Sequence, residues 1–255
     1  MPELPDITIY LEALERLLVG ERLARVHIRS PFVLRTFEPA VEEAVGRRVI
    51  GLRRVGKRIV WEFEEELFFV FHLMIAGRFH LRKAGAAARG KNDLAAFEFP
   101  AGTLLLTEAS AKKRAALHVV RGAAAVEVHR PPGLEPLEIS LEVFASALTA
   151  RNHTLKRALT DPTIFSGIGN AYSDAIRHAA RLATTPTTNR LAADAFPRRW
   201  RPFAPRGRCT AVTASPAPHA ERPCSESVTP TAKRTTAPAA KRAAACWPIG
   251  PFRGF

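Results

Sequence analysis

The sequence predicts an α+β protein: an N-terminal helix, a two-layer β-sandwich, then a helical region with an irregular tail. Three observations predict it. Ile7, Leu11, Leu14 and Leu18 recur at helical spacing near the start. A dense series of short β-rich apolar segments follows, separated by turns. After Pro131-Pro132-Gly133 the pattern changes to capped helical stretches.

The elements follow in order. Ile7 to Leu18 reads as an amphipathic helix with one apolar face on a core. Leu23 to Ile28 alternates as a strand. Val49 to Leu52 and Arg58 to Phe63 flank a turn at Gly56-Lys57. Leu67 to Leu73 is nearly all apolar, the signature of a strand covered on both faces. Gly77 to Leu81, Ala95 to Phe99, Leu104 to Leu106 and Leu117 to Val120 complete the strands. Many short strands after one helix favour two packed layers. Beyond the Pro-Pro-Gly linker, Ser140 with Glu142 opens a helix to about Leu148. Thr154 to Leu159 and Asn170 to Arg181 read as two more. The intervening Gly167-Ile168-Gly169-Asn170 is a tight turn into a helix, whose free N–H groups suit an anion.

Composition divides the chain. From Thr184 onward only 10 of 72 residues are Val, Ile, Leu, Met, Phe, Trp or Tyr, while 26 are Ala or Pro. Such a segment cannot offset its ordering entropy by burial, so an irregular or disordered tail is expected. The tail also carries 12 Lys and Arg against 3 acids, which is +9 of the net +14. The remaining +5 is weak evidence for a nucleic-acid partner, so that case rests on particular residues. Cys209, Cys224 and Cys246 lie in the tail without a C-x-x-C pair, so no metal site is readable. The longest apolar run, Leu67 to Phe71, is too short to span a membrane, and the N-terminus lacks a signal-peptide pattern. A cytoplasmic protein is expected.

The chain opens Met1-Pro2-Glu3-Leu4-Pro5-Asp6. Removal of Met1 leaves Pro2 with a secondary amine, a nucleophile toward a sugar C1′, with Glu3 beside it as an acid or base. From these residues alone, a processed terminus with no catalytic part is the better reading. The opening resembles that of the formamidopyrimidine-DNA glycosylase and endonuclease VIII family. Gly167-Ile168-Gly169-Asn170-Ala171-Tyr172 resembles its helix-two-turn-helix signature, and Lys57 in Gly56-Lys57-Arg58 falls where the family has its hairpin lysine. The resemblance extends from Met1 to about Phe196.

The resemblance implies a catalytic β-sandwich domain over 1–130, a helix-two-turn-helix domain over 131–196, and an irregular tail over 197–255. It implies a DNA glycosylase with AP-lyase activity that excises oxidised or ring-opened bases. Pro2 would form the Schiff base, Glu3 would supply a proton, and Lys57 would hold a phosphate beside the lesion. Lys156, Gly167, Gly169 and Asn170 would grip the backbone. Met74 matches the wedge that fills the gap left by a flipped base, although a core methionine is the bland alternative. Arg114, within Lys112-Lys113-Arg114, stands near the position of a second wedge residue, but no aromatic follows it. The partner implied is double-stranded DNA carrying a damaged base or an abasic site. A nucleoid-associated monomer that binds no membrane is expected.

Intact relatives carry a zinc finger of two C-x-x-C pairs; this chain as written implies no cofactor. Read one frame over, codons across Pro216-Ala217, His219-Ala220, Thr236-Ala237 and Ala239-Ala240 can all encode cysteine, giving two such pairs sixteen residues apart. Ala240 to Phe255 is then compatible with a stretch that starts Gln-Thr-Gly-Gly, which is how the family's finger continues. A frameshift after Phe196 is therefore expected. It predicts weak or no base excision, with abasic-site cleavage retained. Two alternatives stand: a non-catalytic DNA-binding remnant, or an unstable product without function.

Overall fold

In the computed structural model, residues 2–180 are described, together with Leu182, Thr187 and Thr188. Helix α1 covers Leu4–Leu18. It begins three residues before the apolar period does, because Glu3 is its N-cap and Asp6 accepts the Glu3 N–H at 2.9 Å. Its buried face is Ile7, Tyr10, Leu14 and Leu18.

Eight strands follow: β1 (Arg25–Ile28), β2 (Val49–Val55), β3 (Arg58–Phe63), β4 (Leu67–His72), β5 (Gly77–Arg82), β6 (Asp93–Phe99), β7 (Gly102–Glu108) and β8 (Ala116–Arg121). They form two four-stranded antiparallel sheets, ordered β2-β3-β4-β8 and β1-β6-β7-β5. This is the expected two-layer sandwich. Alternation sends Ile59, Trp61, Phe63, Leu67, Phe69, Phe71, Leu117 and Val119 into one core with Phe79, Phe97, Phe99 and the buried face of α1. Trp61 is fully buried and touches five phenylalanine rings, at centroid distances from 4.5 to 6.3 Å. The opposite face of β3, β4 and β8 is also covered in part, by a smaller cluster of Val55, Val60, Phe68, Val70 and Val126. Both-face coverage explains why β4 reads as a continuous apolar run.

Val126 comes from α2 (Ala123–Glu127), a short helix that the sequence pattern did not predict. Its five residues are too few to show a period. The Pro131-Pro132-Gly133 stretch leads to α3 (Leu141–Thr149), α4 (Leu155–Thr160) and α5 (Asn170–Ala179). Ser140 and Thr154 cap α3 and α4 as expected, each accepting a backbone N–H. These helices enclose their own small core of Phe144, Leu148, Leu155, Ala158, Leu159, Phe165 and Ile168.

Residues Met1 to Pro205 make one compact unit. The second unit, Arg206 to Phe255, lies outside the described residues, as do the expected irregular tail, the frame-shifted segment and the three cysteines. Among the described residues no helix is long and apolar enough to cross a membrane.

Candidate active site and nucleic-acid interface

The site is organised by Glu3. Its side chain runs from the start of α1 to the start of α5 and is 3% exposed. One carboxylate oxygen accepts the N–H groups of Gly169 and Tyr172, and the other accepts that of Ala171, all at 2.9 Å. The Leu4 N–H donates to the Gly167 carbonyl at 3.1 Å. Gly169 is the N-cap of α5 and has no side chain with which to satisfy the first turn. A carboxylate from residue 3 does so instead, where the helix dipole favours negative charge.

Both glycines of the turn are explained by this contact. Gly167 has φ +85°, and a Cβ there would lie 2.7 Å from Leu4 Cδ1. A Cβ on Gly169 would stand 2.5 Å from the Glu3 carboxyl carbon. The expectation that the N–H groups of this turn are free for a phosphate is corrected. Three of them belong to Glu3, including that of Gly169. Asn170, at the first position of α5, is exposed and open to a ligand.

Lys57 comes to the same place by another route. Gly56, at φ +58°, makes the tight turn between β2 and β3, and a Cβ on it would meet Pro131 Cγ at 2.6 Å and Ser166 Oγ at 3.3 Å. The turn is thus pressed against the linker and the segment that precedes α5. Lys57 is half-buried there. Burial lowers its pKa from the ordinary lysine value, and the nearby negative charge of Glu3 opposes that shift. Its ammonium makes no hydrogen bond or ion pair among the described residues. Pro2 is buried while Met1 remains joined to its nitrogen.

The remaining expected residues are less closely gathered. Met74 follows β4 in a four-residue turn closed by the Gly77 N–H on the Leu73 carbonyl at 2.9 Å. Met74 has φ +53°, a rare conformation for a residue with a Cβ, and is half-buried. Its neighbour Ile75 is 57% exposed and is the more prominent apolar group of that turn. Arg114 is exposed in the loop after β7, which wraps around the buried carboxylate of Glu108. That carboxylate accepts the Arg114 and Ala115 N–H groups at 2.8 and 3.0 Å. Lys113 donates back to the Glu108 carbonyl, whereas Lys112 and Arg114 point outward. Lys156 is not a free cation: its Nζ pairs with Asp174 at 3.0 Å, and Asp174 also holds Arg177.

Sequence reading missed Ile75, Arg58 and His72. The only signal for His72 was a titratable residue closing an apolar strand. Among the described residues no three His, Cys, Asp or Glu side chains gather as a metal site.

Residues 1–114 match the family model for the formamidopyrimidine-DNA glycosylase N-terminal domain. The formamidopyrimidine-DNA glycosylase of Solibacter usitatus is 31% identical over 200 residues, covering 75% of this chain and 70% of that protein. The protein of the same name from Moorella thermoacetica is 31% identical over 191 residues, covering 71% and 68%. Among solved structures, a Lactococcus lactis formamidopyrimidine-DNA glycosylase bound non-covalently to DNA with an AP site superposes with a TM-score of 0.66 at 23% identity, covering 76% and 75%. An inhibited form of that enzyme with DNA containing N7-benzyl-Fapy-dG gives 0.69 at 24%, covering 76% and 73%. At such identities these structures speak for the fold.

Proposed function

The chain belongs to the formamidopyrimidine-DNA glycosylase family, and from that premise we propose that it acts on damaged DNA in base excision repair, with Pro2 as its nucleophile and abasic-site cleavage as its main residual activity. The observation that supports this most is the Glu3 clamp. It draws the chain terminus against the Gly167–Asn170 turn and beside Lys57. Three groups distant in sequence thereby share one small region.

The reading requires that Met1 be removed, because an amide nitrogen is not a nucleophile and Pro2 is covered while Met1 is attached. The freed amine attacks C1′ of the damaged nucleotide. The N–C1′ bond forms, and the glycosidic electron pair leaves with the base, which takes up a proton. On an abasic site the amine adds to the C1′ aldehyde and water departs. In the first route the C1′–O4′ bond then breaks, with its electron pair and a proton going to O4′, so either route gives an iminium ion. A proton then leaves C2′, and the 3′ phosphate departs with the C3′–O electron pair. Loss of the 5′ phosphate can follow as a second elimination.

Glu3 holds its position by accepting three N–H groups and keeps lone pairs for exchanging a proton with the sugar. Lys57, unpaired and half-buried, suits a phosphate next to the lesion. Asn170 offers an exposed amide at the start of α5 for another. Gly167 and Gly169 contribute by admitting Leu4 and Glu3. Lys156 reaches the backbone only by exchanging Asp174 for a phosphate. Within the turn after β4, Met74 and Ile75 together supply an apolar wedge, Ile75 as its exposed part. Arg114 is free to follow it into the duplex. The two separate cores support a division of the described chain at the 131–133 linker, and a monomer suffices for this chemistry.

Borohydride trapping on a duplex with one abasic site tests the proposal. The protein with Pro2 at its terminus is expected to form a covalent adduct, and a variant with a retained N-terminal extension is expected to form none. Excision of an oxidised purine is expected to be much weaker than abasic-site cleavage. Absence of any adduct from the processed protein would leave the chain a non-catalytic DNA binder.

A further inference from the structure

The turn after β4 and the loop after β7 leave the same end of one strand pair. β5 and β7 run antiparallel, and their register sets Gly77, the first residue of β5, opposite Glu108, the last of β7. The 73–77 turn enters the pair at Gly77, and the 109–115 loop departs from it at Glu108. The turn is fixed tightly to its strand: a Cβ on Gly77 would stand 2.3 Å from the Leu73 carbonyl oxygen. A third segment meets the same point, because the Glu108 N–H donates to the Asn92 carbonyl at 2.8 Å.

The loop has little burial with which to hold itself. Ala109, Ser110, Ala111, Lys112, Lys113 and Arg114 are small or polar, and none is buried. Polar tethers set their path instead. The Glu108 carboxylate is attached to a residue only 1% exposed, and its Oε2 accepts the Arg114 and Ala115 N–H groups. The loop thus begins and ends on one residue. Lys113 Nζ donates to the Glu108 carbonyl and, at 3.4 Å, to Asn92 Oδ1. That draws Lys113 inward and leaves Lys112 and Arg114 exposed. The arrangement is costly, since Glu108 Oε1 is buried with no partner among the described residues. An apolar side chain would close the hairpin without an orphaned oxygen. What the carboxylate adds is direction, because it fixes where two successive backbone N–H groups point.

We propose that Glu108 is a positioning residue for lesion engagement: it holds the 109–115 loop in register with the 73–77 turn, so that Arg114 and Ile75 enter the duplex as one unit. The proposal rests on the function proposed above, in which that turn and Arg114 meet the DNA. Glu108 itself touches no nucleotide. It acts through the backbone of the loop on one side and through the β5–β7 ladder on the other.

Two measurements on the full chain test it, with Glu108→Ala and the conservative Glu108→Gln. Without DNA, hydrogen exchange at the Arg114 and Ala115 amides is expected to rise about tenfold or more in Glu108→Ala, while β3 and β4 stay protected. Glu108→Gln keeps a carbonyl acceptor and is expected to restore most of the protection. With DNA, 2-aminopurine placed opposite an abasic site reports whether the facing base is unstacked. At saturating protein, the parent is expected to raise its fluorescence. Glu108→Ala is expected to lose most of that rise, as is Arg114→Ala, and Glu108→Gln to keep most of it. A residue that served stability alone would leave the saturating signal of the folded protein unchanged. Unchanged exchange in Glu108→Ala overturns the tether. Raised exchange with an undiminished fluorescence rise overturns the positioning role. A parent protein that binds no abasic duplex contradicts the functional reading instead, and the exchange comparison, made without DNA, still decides whether Glu108 holds the loop.

Discussion

The sandwich and the helical region are held together by different forces. The sandwich buries an aromatic core, with Trp61 enclosed by five phenylalanines and two sheets closing over them. Among the described residues the helices enclose seven buried apolar residues, where Phe144 stacks on Phe165 at 4.4 Å. What the helical region lacks in buried area it gains in directed polar contacts. The Glu3 carboxylate caps α5, Arg54 pairs with Glu135 at 2.8 Å, and the 133–134 linker bonds to Pro162 and Ile164. Non-directional burial makes a stable frame, while hydrogen bonds fix where the second body meets it. The candidate site lies at that polar joint.

Glu3→Ala breaks the comparison most severely. It orphans three N–H groups at about 1–3 kcal/mol each, so a loss of about 4 kcal/mol in urea unfolding is expected. Glu3→Gln, which keeps one carbonyl acceptor, is expected to recover part of it. If both variants unfold like the parent, the clamp is not what joins the two regions. Phe165→Ala, at a fully buried position of the small core, is expected to cost about 3–4 kcal/mol. Hydrogen exchange would then rise in α3, α4 and α5 while β3 and β4 stay protected. Uniform loss of protection would mean that the two cores unfold as one.

Acid sharpens the same contrast on the sandwich side. His72 and His118 are lowered to about 4 by burial and then by neighbouring charge. Their folded values lie below the unfolded value of 6.5, so the unfolded chain takes up protons first. Their stabilising contribution is whole above pH 6.5 and declines as pH falls toward 4. The expected loss is on the order of 3 kcal/mol for the pair, discounted for the solvent screening of His118. A His72→Gln/His118→Gln protein should lack that part of the decline when urea midpoints are compared at pH 7 and 4.5. The smallest effect is expected from Lys156→Ala. Its exposed pair with Asp174 contributes about 0–1 kcal/mol, so the thermal midpoint should hardly move. A large shift would show that α4 and α5 depend on it.

Much of the fold was legible because burial writes itself into alternation and helical period. The eight strands, α1 and the capped helices α3 and α4 were all readable from side-chain type. Helix α2 was not, since five residues carry no period. The start of α1 was missed for a local reason: Glu3 and Asp6 extend the helix through capping rather than through apolar spacing. At the site, Gly167 and Gly169 signalled a tight turn, but not its occupant. That the anion comes from residue 3 is a fact of tertiary contact, more than 160 residues away in the chain. The pairing of Lys156 with Asp174 was hidden for the same reason. Met74 drew notice by its type, while the exposure of Ile75 depends on how one turn folds.

The central claim is that the reacting amine belongs to Pro2. The competing amine is Lys57, half-buried beside Glu3 with its ammonium disfavoured. Proteolysis and mass spectrometry of the borohydride-reduced adduct with abasic DNA separate them. The account expects the sugar remnant on the peptide that begins at Pro2. Its appearance on the peptide containing Lys57, with the terminal peptide unmodified, would contradict it.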